Sequence, residues 1–280
     1  MALVSLILSG RSELWARKDY IVVSSRASVG YEHTLPDGSL RPESYVFMEG
    51  DRLGATRDKS LAPTEFQGLL ESLAPALAKR EYWPATVATE ADLLIVVHWG
   101  ETEVYEDPVR DIEMEALNGA LNTFNTTISD FGIADPGRIN ELMASQGLSQ
   151  RFVADSARRN AELLGYKEAI MRAEQEFIPS VDEITMKSEL GEPRYFVVLS
   201  AWDYTAIRRG ERPRLLWVSR MNTRSAGLNF RLARELLIAQ AAPKFGEQVD
   251  GLVRVRVKTG FGHGEVEIGE TKVVEEVAPQ

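Results

Sequence analysis

The sequence predicts an α/β protein of the α+β type: a mixed β-sheet packed against amphipathic helices, with a long all-helical insertion and a C-terminal β-hairpin. Three observations predict it. Short β-branched runs bounded by turn residues recur in both halves of the chain. Between them, from Asp107 to about Phe177, helical periodicity and capping signals replace strands. The tail then returns to strict alternation of apolar and charged residues. With 280 residues and 44% hydrophobic content the chain can bury a sizeable core.

In order, residues 1–18 allow two readings, a secretory leader remnant ending near Ala16 or a first element of the fold. The apolar run Ala2 to Leu8 is far shorter than the roughly 20 residues that cross a bilayer, and no basic segment precedes it. Residues 19–106 form the first part of the core. Tyr20 to Ser25 and Tyr45 to Met48 read as strands, separated by the turn-forming Leu35-Pro36-Asp37-Gly38. Phe66, Leu69, Leu70, Leu73 and Leu77 share one helix face from about Glu65 to Arg80, with Thr64 as N-cap, Gln67 as its capping-box partner and Pro75 as a potential kink. Leu93 to Val97 is a continuous β-branched run, which predicts a central strand buried on both faces.

The insertion, 107–180, opens on Asp107-Pro108 and restarts at Asp135-Pro136, each an N-cap with proline at the first helical position. Ser149 is read as starting a third helix, and Gly165 as separating it from a fourth that ends before Pro179. The second part of the core, 181–280, has strands at Tyr195 to Trp202 and Leu215 to Val218, joined through an arginine-rich turn. A last helix carries Leu228, Leu232, Ala233, Leu236, Leu237 and Ala241 and stops at Pro243. The tail strands alternate Val253, Val255 and Val257 with basic residues, and a symmetric hairpin sets Val257 and Val255 opposite Val266 and Ile268, Lys258 opposite Glu265 and Arg256 opposite Glu267.

Composition narrows the chemistry. No cysteine means no thiolate catalysis, disulfide, iron–sulfur cluster or thiolate zinc site, and three histidines make a histidine-rich metal centre unexpected. A net charge of -10 repels phosphate backbones, so nucleic acid is not an expected partner. Two phosphate-like motifs fail on spacing. Gly54 to Ser60 has Asp58 where a P-loop needs glycine, and Gly260 to Gly264 is followed by strand-like residues where a dinucleotide fold needs a helix. There is no Gly-x-Ser-x-Gly elbow, and no cofactor is implied. The acidic segment Glu101, Glu103, Glu106, Asp107, Asp111, Glu113 and Glu115 lacks the alternation of a calcium loop and reads as a solvated face with acids at a helix start, so no metal site is assigned.

The stretches Ala91 to Gly100, Ile133 to Gly137, Arg194 to Leu199 and Leu215 to Val218 together resemble a family of uncharacterised bacterial exported proteins, over most of the chain beyond residue 20. More distantly, the succession of strand, helix, Ala91-Asp92-Leu93-Leu94 strand and a hairpin ending in Leu215-Leu216-Trp217 resembles the small α/β domain of bacterial envelope lipoproteins. The helical insertion and the missing lipid-bearing cysteine are departures from the lipoprotein pattern. The resemblance implies a periplasmic or secreted location, the alternative being cytoplasmic, and a role in binding or assembly. It supplies no catalytic residue.

Two constellations remain. His98 ends the most apolar strand and Asp203 ends the strand from Phe196. Were those strands parallel neighbours, both side chains would emerge at one sheet edge, as a general base and its orienting acid. Arg208, Arg209, Arg212 and Arg214 gather positive charge in an acidic chain, and guanidinium forks suit carboxylates and phosphates. The expected function is therefore a non-enzymatic envelope or secreted accessory protein whose arginines dock a protein or an anionic envelope polymer. The alternative is a hydrolase or transferase using His98 and Asp203.

Overall fold

A computed structural model describes residues 20–55, 57–104, 137–175 and 178–256, with backbone only for 137–150. Within these limits the strands are β1 Tyr20–Ala27, β2 Glu43–Leu53, β3 Tyr82–Pro84, β4 Leu93–Glu101, β5 Arg194–Asp203, β6 Leu215–Arg224 and β7 Val253–Arg256. The helices are α1 Glu65–Ala78, α2 Gly137–Leu164, α3 Lys167–Ala173, α4 Val181–Leu190, α5 Tyr204–Arg208 and α6 Phe230–Ala241. The strands make one mixed sheet in the order β3-β2-β4-β5-β6-β1-β7. β3, β2 and β4 run parallel to one another, and every pairing from β4 to β7 is antiparallel.

Period-two alternation sends neighbouring side chains to opposite faces, and both faces are covered. Ile21, Val23, Ile95, Val97, Val197 and Leu199 pack with Leu69, Leu73 and Leu77 of α1 and Phe230, Ala233 and Leu237 of α6. Val22, Phe196, Val198 and Val218 point the other way, onto Leu164 of α2, Tyr166, and Met186 and Leu190 of α4. The insertion between β4 and β5 thus supplies the second helical layer. Two-sided burial explains why β4 and β5 read as unbroken apolar runs.

Several local expectations change. Thr64 is itself helical in backbone angle and makes no capping hydrogen bond, because residues 62–66 already form a turn through the Glu65 and Phe66 N–H groups. Gln67 instead bonds Glu71 one turn on. α2 runs unbroken through Ser149, since a serine inside a long helix costs little once the layer is packed. α4, unforeseen, starts at Ser180, whose hydroxyl accepts the Glu183 N–H, a Ser-x-x-Glu signal present in the sequence. β7 pairs with β1, Ile21 facing Val255, and Arg254 turns to the helical layer to bond Glu189 at 3.2 Å, so its charge is satisfied by α4 and not by water alone. The predicted helix after Asp107 and the outer hairpin strand, with the Lys258–Glu265 and Arg256–Glu267 pairs, lie outside the described residues.

Candidate functional site

One end of the sheet gathers the loop after β1, the segment entering β2, the start of β4 and the β5–β6 connection around a cleft of ≈ 380 Å³. Each segment brings polar groups fixed by its own local chemistry. Asp203 ends β5 with an extended backbone and caps α5, its Oδ1 accepting the Ala206 N–H at 2.9 Å. Its Oδ2 accepts from Arg214 at 2.6 Å. Burial opposes ionisation of Asp203, but the Ala206 N–H and the Arg214 guanidinium outweigh it and hold the carboxyl below its usual range. Asp92, just before β4, ties that strand to β2 by accepting the Ser44 N–H at 2.8 Å and its hydroxyl at 2.7 Å.

Glu43 is the most constrained acid of the cleft. It accepts from the Tyr31 hydroxyl at 2.5 Å and from Arg41 at 3.0 Å, and His33 Nδ1 lies 3.4 Å away. The Tyr31 and Tyr82 hydroxyls share a 2.9 Å hydrogen bond. Burial drives both phenols above their ordinary range; Tyr82 and Glu43 add to the rise at Tyr31, whereas the hydrogen bond shared with Tyr31 moderates it at Tyr82. His33 stacks on Tyr82 with ring centroids 4.2 Å apart. Its Nε2 lies 2.6 Å from the Arg80 carbonyl, which can only accept, so the ring proton is on Nε2. This network locks one wall of the cleft.

The β5–β6 connection forms the rim. Arg208, Arg209, Arg212 and Arg214 are all exposed. Arg209 reaches Glu211 at 3.9 Å and Arg214 holds Asp203, whereas Arg208 lies over the Tyr204 ring and Arg212 has no acid within ion-pair distance among the described residues. The four arginines are thus exposed on one connection, and of them Arg214 lines the cleft.

His98 and Asp203 are not brought together. β4 and β5 are antiparallel, with Asp203 opposite Leu93 and His98 opposite Val198, so five residues, about 17 Å of strand, separate them. His98 Nδ1 accepts the Asp51 N–H at 2.9 Å, and a Cβ on Gly50 would come within 2.7 Å of the ring. This histidine packs against the β2 bulge. Tyr31, Arg41, Glu43 and Asp92 were missed by sequence reasoning, because each is an ordinary residue beside a turn and only the sheet makes them neighbours. Among the described residues no group of three or more histidine and acidic side chains could hold a metal ion, and no helix is long and apolar enough to cross a membrane.

No protein-family model and no curated protein matches the chain. Among solved structures it is similar to the crystal structure of a PDZ domain protein from Parabacteroides distasonis, with 9% identity and a TM-score of 0.38. The match covers 85% of this chain but 39% of that one. So slight a likeness says nothing about the site.

Proposed function

We propose that the protein is a non-enzymatic accessory protein of the bacterial envelope or secreted space, and that it docks an acidic partner through the β5–β6 connection. The observation that carries this reading is the exposed arginine rim, in which Arg208 and Arg212 have no carboxylate partner among the described residues of a chain with a net charge of -10. Local positive charge on an acidic molecule steers and orients anionic partners. Guanidinium forks grip carboxylates and phosphates in two-point contacts. The Asp203 cap and its bond to Arg214 hold the connection in place, so little ordering opposes docking. The envelope location rests on the family resemblance of the sequence. Poly-L-glutamate and a glycerol-phosphate polymer serve as the two probes. Binding that weakens with salt and disappears in R208E/R209E/R212E supports the proposal, and binding equal in that variant and the parent contradicts it.

A further inference from the structure

Two residues along the β1–β6 ladder from the first cleft, where the helical layer meets β1 and β6, lies a second cleft of ≈ 410 Å³ lined by Arg26, Glu162, Gly165, Lys167, Glu168 and Arg220. Its size falls within the range of small-ligand sites. Three cations face two acids, and the acids are committed: Glu168 pairs with Arg26, and Glu162 with Lys167 at 2.7 Å. Arg220 is half-buried and has neither a hydrogen bond nor an ion pair among the described residues. Burial, then the neighbouring Arg26, lowers its pKa against the pull of Glu168. A guanidinium so placed feels Glu168 only at a distance, because that carboxylate pairs directly with Arg26.

Beneath the cleft, outside its lining, a second polar group is without a partner. Ser24 faces Arg220 across the β1–β6 pairing, and its hydroxyl is buried without a partner. Arg26, two residues further on the same face, is the diagonal neighbour of Arg220 at a spacing of about 7–8 Å. Gly165, which ends α2 with φ +82, packs the helix end closely onto this corner: a Cβ there would come 2.2 Å from the Ser24 hydroxyl and 3.0 Å from the Arg220 side chain. The glycine therefore meets two needs, a left-handed helix end and close approach of that end to a serine and an arginine.

We propose that this cleft binds a small soluble ligand through a phosphate group, which Arg220 and Arg26 grip together with Lys167 at the mouth. A phosphoryl group offers several acceptor oxygens and the negative charge that Arg220 lacks, and it can contact two guanidinium forks at once. The competing group is Glu168, which an incoming phosphate must displace from Arg26.

The test uses inorganic phosphate and the full chain, with chloride holding ionic strength constant and acetate as a second anion. Calorimetry is expected to show one saturable phosphate site, and Tm to rise with phosphate. Arg220→Met is expected to stay folded, since an apolar side chain of similar length replaces a poorly compensated charge, and to lose the phosphate response. Glu168→Gln, a change at an exposed carboxylate, is expected to tighten phosphate about three- to tenfold, and it tests the claim even if the Arg220 variant does not fold. R208E/R209E/R212E is expected to bind phosphate like the parent, which separates this site from the docking rim. A phosphate response no larger than that to chloride, equal binding of acetate, retention in Arg220→Met or no gain in Glu168→Gln overturns the assignment.

Discussion

Asp203 does at residue scale what its position in the chain demands: it ends a strand, caps a helix and holds Arg214. Its folded-state pKa is depressed, so the stabilisation it gives is complete above its unfolded pKa, near 4, and is lost as pH falls through the lower folded value. Asp203→Asn keeps a competent cap but loses the charge on Arg214, and it should cost about 1–2 kcal/mol at pH 7. In urea unfolding at several pH values that gap should close toward pH 3; a gap independent of pH would show that the carboxylate charge plays no part. A second residue-scale test concerns Gly246, at φ +75, where a Cβ would come 2.0 Å from the Tyr82 hydroxyl. Gly246→Ala should destabilise by more than about 3 kcal/mol, through backbone strain and the clash together. In a Tyr82→Phe background the same change should cost less by about 1 kcal/mol or more, because the clashing oxygen is gone. Additive costs would mean that glycine is required there by its backbone angle alone.

At the scale of elements, β2 and β4 approach so closely at Gly100 that a Cβ would lie 2.1 Å from the Leu53 carbonyl oxygen. Gly100→Ala should therefore cost more than about 3 kcal/mol, whereas Gly38→Ala, with a similarly unusual φ of +84 but open space around it, should cost about 1 kcal/mol. Thermal unfolding of the two variants compares close approach with backbone strain, and equal losses would remove the close-approach explanation. The same elements show what was legible beforehand. Leu93 to Val97, the α1 stripe and the α6 stripe were readable because burial imposes a period on adjacent residues. Strand direction was not, because a block of helices separates β4 from β5 and nothing local to either strand states whether the chain returns parallel or antiparallel. That missing fact is what undid the His98–Asp203 pair. The cleft was illegible for a related reason: Tyr31, Glu43 and Asp92 belong to three segments, each unremarkable until the sheet aligns their ends with Asp203. The arginine cluster was legible because its members are adjacent in the chain. Ser180-x-x-Glu183 carries the signal for α4, but it is short beside the stronger strand pattern that follows.

At the scale of the whole molecule, the proposed docking surface sets a positive rim, built on the β5–β6 connection, on a strongly acidic protein. Reversing three of its charges should leave the fold almost untouched. Arg208, Arg209 and Arg212 are exposed, and the 3.9 Å Arg209–Glu211 contact is a surface pair of the kind worth little. Electrostatic docking should also weaken as salt shortens the screening length from about 10 Å at 0.1 M to about 3 Å at 1 M. The most direct measurement is the affinity of the parent chain and of R208E/R209E/R212E for poly-L-glutamate and for the glycerol-phosphate polymer across a salt series, with equal Tm values confirming intact folds. Parent binding to at least one polymer should fall steeply with salt, and the variant should lose at least tenfold in affinity at low salt. Parent binding that is absent from both polymers, indifferent to salt, or unchanged in the variant would contradict the proposed docking surface.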